Sequence, residues 1–140
     1  MSGQALTPLA ARAAVPAVRW LALLGLCAAY LQGGLAKALD FGSAVGEMQH
    51  FGLAPAALLA GLVIVLELGA SALVLLGVYR WLAALALAAF TVAASVLANN
   101  FWAMEMPARF MAENAFFEHL GLAGGFLLVA WEDLRRQPTA

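Results

Sequence analysis

The sequence predicts an all-α protein, an integral membrane four-helix bundle with both termini cytoplasmic. Three observations carry that prediction. Of 140 residues, 65% are hydrophobic and only 11% are charged, against about 25% charged in a soluble domain. Apolar runs long enough to cross a bilayer recur along the chain. Lys and Arg are skewed to one side, with Arg12, Arg19, Arg80, Arg135 and Arg136 set against Lys37 and Arg109, which places both ends in the cytoplasm.

The same composition excludes several function classes. A net charge of −1 without any basic cluster leaves no footprint for nucleic acid. The single cysteine, Cys27, rules out an internal disulfide, a four-thiolate metal or iron–sulfur site and a C-x-x-C-H haem attachment within these residues. A self-contained disulfide oxidase is excluded too, because it needs paired thiols. Cys27 reads as a small buried hydrophobe.

Taken in order, residues 1–17 are expected to form a cytoplasmic tail, 18–132 the membrane domain and 133–140 a second cytoplasmic tail. The first span, about 18–38, contains the charge-free run Trp20 to Ala36 between Arg19 and Lys37, about 26 Å of helix. Asp40 to Ala54 places apolar residues at 41, 45, 48 and 51 and stops at Pro55, which predicts a short interfacial helix on the external side. Spans two and three, about 55–79 and 81–103, are joined by a tight turn near Gly77 and Arg80. Only Glu67 interrupts the former, and AMEMPARFMAEN forms the next external connection.

The fourth span, about 113–132, is constrained by its ends. Only 12 residues separate His119 from Glu132, about 18 Å of helix against a hydrocarbon core of about 30 Å. Glu118 and His119 must then enter the outer part of the membrane. Trp20, Trp81, Trp102 and Trp131 fall near span ends and read as interface anchors.

Helices in lipid associate through small residues and polar contacts. Gly25, Ala29 and Gly33 recur at spacing four on the first span, and Gly121 and Gly125 do so on the fourth. Helical arithmetic places Asn114 and Glu118 on the same seam as those two glycines. Thr91, Ser95 and Asn99 form a polar stripe on the third span, Tyr30, Gly33, Gly34 and Lys37 share a face on the first, and Ser71 lies one turn below Glu67.

A charge at the bilayer centre costs about 2.5 to 3.5 kcal/mol on insertion scales. Glu67 is therefore expected to face the interior, where it is paired, hydrogen-bonded or protonated. Lys37 is the expected cationic partner. The candidate polar pocket comprises Lys37, Glu67 and Glu118, flanked by Tyr30, Asn99, Asn114 and His119; alternatively, these groups hold the helices together and bind nothing. Glu47 and His50 are weak metal candidates, since their Glu-x-x-His spacing occurs once whereas di-iron bundles use it twice. His50 and His119 lack the spacing of a bis-histidine haem cradle, so no intrinsic cofactor is expected.

The run GGLAKALDFGSAVGEMQHFGLAP, followed by LELGASALVLLGVYRWLAAL and ENAFFEHLGLAGGFLLVA, resembles the DoxX/DoxD-like family of small four-helix membrane proteins. The matching features fall on Gly34 to Lys37, Phe51 to Pro55, Glu67, Leu75 to Arg80 and Asn114 to Gly125, and the likeness spans roughly residues 18–132. Asn99-Asn100 stands where many relatives place a histidine. The resemblance implies a bacterial inner-membrane protein associated with redox partners, one branch of the family being a subunit of a thiosulfate:quinone oxidoreductase.

Three functions follow as expectations. One is a membrane anchor or assembly subunit that docks a redox or other protein partner through its external loops. Another is a quinone-interacting subunit, with Lys37 or His119 donating to a quinone oxygen and Glu67 or Glu118 handling the proton. The third is a small solute or proton pathway centred on Glu67. Besides the lipid bilayer, association with further copies of the chain stays open.

Overall fold

A computed structural model describes residues 7, 8 and 16–138. Arg12, one of the charges behind the predicted orientation, and residues 139 and 140 lie outside the described residues. Among the described residues there are five α-helices and no strand: α1 (Pro16–Leu39), α2 (Phe41–His50), α3 (Ala56–Leu76), α4 (Arg80–Ala98) and α5 (Ala108–Arg136), with a 3₁₀ turn at Phe101–Ala103. Three segments, Pro16–Leu39, Ala56–Leu76 and Arg80–Ala103, are long and apolar enough to cross a membrane. Only 22%, 28% and 33% of their apolar windows are buried inside the protein, so most of each window needs an apolar surrounding.

The fourth long helix is different in kind. At 29 residues, α5 is about 43 Å long, but it carries Glu113, Glu118, Glu132 and Asp133. It begins at Ala108 rather than near residue 113, so its first turns lie beside the 3₁₀ turn, where Phe101, Trp102 and Phe116 pack edge to face.

Local chemistry fixes the boundaries. Asp40 caps α2, its side chain accepting the Ser43 N–H at 3.2 Å. Gly77 ends α3 with φ of +77°, a left-handed conformation that suits glycine, and its N–H and that of Val78 both return to the Leu73 carbonyl. Arg80 Nε then donates to the Val74 carbonyl at 2.7 Å. Asp133, far along α5, accepts the Trp81 N–H at 3.0 Å and so satisfies an orphan donor in the first turn of α4.

In the bundle α4 lies along α5, α1 along α3 and α3 along α4, whereas α1 and α5 meet over only a short stretch. That stretch lies toward the α3–α4 turn, where Leu26 packs over Gly125 and Arg19 reaches Glu132 at 3.1 Å. The core there is Leu23, Cys27, Val74, Leu87 and Phe126, each no more than 5% exposed. At the opposite end Ala44 and Met48 of α2 dock on Ala60 of α3.

The packing faces differ from the small-residue seams read in the sequence. On α1 the buried face is Leu23, Cys27, Tyr30 and Gly34, while Gly25 and Ala29 are exposed. On α5 it is Ala112, Ala123, Phe126 and Ala130, with Gly121 exposed. Of the seam residues, Gly33 meets Glu67 of α3 and Gly125 meets Leu26 of α1, while Ala29 borders the cavity described below.

Candidate functional site

Glu67 is 4% exposed, and Lys37 Nζ donates to its Oε1 at 2.8 Å across the α1–α3 interface. Two glycines make room for this pair. A Cβ at position 33 would stand 2.9 Å from Glu67 Oε2, and one at position 34 would stand 2.8 Å from Leu68 and 3.2 Å from Glu67 Cβ. Real Cβ atoms do not come within 2.8 or 2.9 Å of a neighbour, so glycine at 33 leaves room for the Glu67 carboxylate and glycine at 34 for the Leu68 side chain against α1.

A second polar group lies deeper. The Thr91 hydroxyl donates to the Leu87 carbonyl at 2.6 Å, which commits its hydrogen. The Tyr30 hydroxyl therefore donates to Thr91 Oγ1, while its ring meets Phe126 edge-on at 5.3 Å. Nearby, Asn99 Nδ2 donates to Ser95 Oγ at 3.4 Å.

These groups border a cavity of about 440 Å³ in the half of the bundle nearest α2. Tyr30, Gly33 and Lys37 of α1 form one wall, and Phe90, Thr91, Leu97 and Asn99 another. Met48, Phe51 and Leu53 cover the end, while Val63 and Glu67 of α3 and His119 and Leu122 of α5 complete it. The lining is mainly apolar, with polar groups gathered at a few points.

His119 Nδ1 lies 2.5 Å from the Ala115 carbonyl. A carbonyl only accepts, so Nδ1 carries the hydrogen, and in the neutral ring Nε2 is left as an acceptor.

Of the seven residues expected around the pocket, Tyr30, Lys37, Glu67, Asn99 and His119 line the cavity. Asn114 and Glu118 do not; both are exposed. Their seam points outward because α5 turns Ala112, Ala123 and Phe126 toward the bundle. Glu47 borders the cavity, whereas His50 is exposed and stacks edge-on against Phe51 at 5.1 Å. Among the described residues no three His, Cys, Asp or Glu side chains converge as a metal-binding group.

The apolar walls were not singled out in the sequence. Met48 had a signal in the period of the interfacial helix, but Val63, Phe90 and Leu97 are indistinguishable there from lipid-facing residues. A second hollow of about 450 Å³ adjoins the cavity, formed by Gly33, Ala36, Lys37, Asp40, Ser43, Ala44 and Glu47. Gly33, Lys37 and Glu47 belong to both.

Apolar helices with an exterior suited to lipid, packed around a buried ion pair, define a small multi-helix membrane protein. Its sequence matches the DoxX family over residues 20–100, more than half of the chain, and the chain belongs to that family. The matched stretch carries Tyr30, Lys37, Glu67 and Asn99, and leaves α5 with His119 outside it. No curated protein and no solved structure matches the chain.

Proposed function

We propose that the chain is the membrane anchor or subunit of a redox complex, and that its cavity receives the ring of a lipid-soluble molecule of the quinone class. The observation that carries this reading is a mainly apolar cavity of about 440 Å³ with the Lys37–Glu67 pair at its polar end. Small-molecule sites of roughly 300–1,000 Å³ combine apolar walls with a few placed polar groups in this way.

The donor set fits such a ring. Val63, Phe90 and Leu97 suit its faces, and the Lys37 ammonium suits a carbonyl oxygen. Glu67 orients Lys37 through the 2.8 Å bond and is the nearest carboxylate able to hold a proton for the ligand. A bound quinone would supply the two-electron chemistry. The chain has one cysteine and no haem or iron–sulfur motif, so a partner protein brings the electrons.

In this reading α5 is the fourth crossing and both ends of the chain are cytoplasmic, although helix α1 already begins at Pro16 and α5 runs on to Arg136, past the expected tail boundaries at 17 and 133. Arg19, Arg80, Arg135 and Arg136 lie toward the tail side and Lys37 and Arg109 toward the other, in the inner membrane of a bacterium. The buried apolar block of Leu23, Val74, Leu87 and Phe126 weighs against a solute pathway through the bundle.

The test is purification of the tagged chain from native membranes in mild detergent, followed by mass spectrometry of proteins and extracted lipids. A stoichiometric redox partner with quinone is expected for the wild type, and the same partner with less quinone for Glu67→Gln. A partner without quinone in the wild type would leave an anchor only. Recovery of the chain with neither quinone nor a partner protein would overturn the reading.

A further inference from the structure

The two hollows share an arrangement that goes beyond holding a ligand. Lys37 and Glu47 stand on the border between them, and Glu67 lies behind Lys37. The second hollow adds Asp40 and Ser43 to its lining beside them, and Asp40, Ser43 and Glu47 are all exposed. The other end of the bundle is closed by Leu23, Val74, Leu87 and Phe126, each no more than 5% exposed. Buried Glu67 therefore has a polar route to water on the α2 side and an apolar block on the other.

We propose that Glu47 is the proton carrier between water and Glu67, and that Lys37 moves between the two carboxylates as the proton passes. This rests on the quinone-type reading of the cavity and assigns the route by which its protons arrive. Hydronium in the second hollow protonates the Glu47 carboxylate and leaves water. Glu47 then passes that proton to the Glu67 carboxylate, directly or through water, which regenerates the Glu47 carboxylate and makes Glu67 neutral. The Lys37 ammonium, released from Glu67, pairs with Glu47, and the three side chains together go from a net charge of −1 to neutral, the gain being the one proton taken from water.

The side chains suit these roles. Lys37 has a long flexible stem and is 22% exposed at its side chain, against 5% for Glu67, so it can turn toward the second hollow. The titratable groups around Glu67 are Lys37 and Tyr30 from α1, Glu47 from α2 and His119 from α5, while α4 contributes only Thr91 and Asn99. Tyr30 is committed to Thr91, and His119 Nδ1 to the Ala115 carbonyl. Glu47 is the carboxyl group that lines both hollows.

The experiment uses the full chain in nanodiscs, with a rapid drop in pH followed by time-resolved infrared spectroscopy. The protonated carboxyl band of Glu67, identified by its loss in Glu67→Gln, reports proton arrival. Glu47→Gln is expected to slow the appearance of that band by about 10²-fold, the scale on which a positioned acid–base group acts, and Glu47→Asp to restore most of the rate. A wild-type rate in Glu47→Gln would overturn the proposal, as would a wild-type spectrum without the Glu67 band. Quinone retained by the same preparation is measured separately. Glu47-dependent uptake without quinone would support the route while defeating the quinone reading; quinone with Glu47-independent uptake would do the reverse.

Discussion

Removing either partner of the Lys37–Glu67 pair should have unequal consequences, and the inequality follows from their burial. At 2.8 Å the pair attracts by about 6 kcal/mol at an effective dielectric constant of about 20. Desolvation costs several kcal/mol for each ion, so the intact pair contributes little net stability. Lys37→Met leaves Glu67, 4% exposed, as an uncompensated buried charge, which costs about 3 to 5 kcal/mol unless the carboxylate takes up a proton. Glu67→Gln leaves an ammonium that can turn toward Asp40 and Glu47 in the adjoining hollow, so the cost should be about 1 kcal/mol, that of one lost hydrogen bond.

The double variant should lie below the sum of the single costs by about 1.5 to 3 kcal/mol, the coupling expected of residues in contact. Reversible unfolding in mixed micelles, monitored by tryptophan fluorescence, measures all three. Equal losses for the single variants, or additive losses in the double variant, would refute both the asymmetry and the idea that the pair acts as a unit.

The remaining predictions test what surrounds the pair. Gly33→Ala should push the Glu67 carboxylate off α1 and cost about 1 to 3 kcal/mol, with smaller loss when Glu67→Ala is already present; the same unfolding assay reads it. Tyr30→Phe keeps the ring against Phe126 but removes the hydroxyl that donates to Thr91, at about 1 kcal/mol, and a thermal melt should show that small loss without a change in helicity. Asp133→Ala strips the acceptor from the Trp81 N–H, which should cost about 1 kcal/mol and raise amide exchange at the start of α4.

Where a residue carries a large energetic penalty, its neighbourhood could be read from the sequence. Glu67 in a long apolar run has few affordable environments in lipid, and that constraint alone directs it inward and toward Lys37. Pro55, Asp40 and Gly77 similarly mark helix boundaries because each acts through local backbone chemistry. Helix faces were harder, because in a membrane the exterior is as apolar as the core. Gly25 and Gly121 therefore resemble packing residues although both are exposed. Asn114 and Glu118 were misplaced for the same reason, since their phase was inferred from those glycines. The Asp133–Trp81 link joins residues 52 positions apart, and no local pattern announces it.

The interactions that hold α1 to α5 also explain why the cavity lies at one end. Leu26 over Gly125 and Arg19 with Glu132 draw the two helices together near the α3–α4 turn, and Asp133 ties α5 to α4 at the same level. Toward α2 these ties are replaced by opposite cavity walls, with Gly33 and Lys37 on α1 and His119 and Leu122 on α5. Filling that gap with larger apolar side chains would strengthen the bundle but bury Glu67 without room for Lys37 or water. The glycines at 33 and 34 and the opening between α1 and α5 thus serve the same requirement: they keep one ionisable group accessible from the α2 end inside an apolar protein. The Leu23, Val74, Leu87 and Phe126 block meets the complementary requirement, because beyond buried Ser71 and the Tyr30–Thr91 pair the bundle turns apolar toward the α3–α4 turn, so a proton reaching Glu67 leaves on a ligand or by the way it entered.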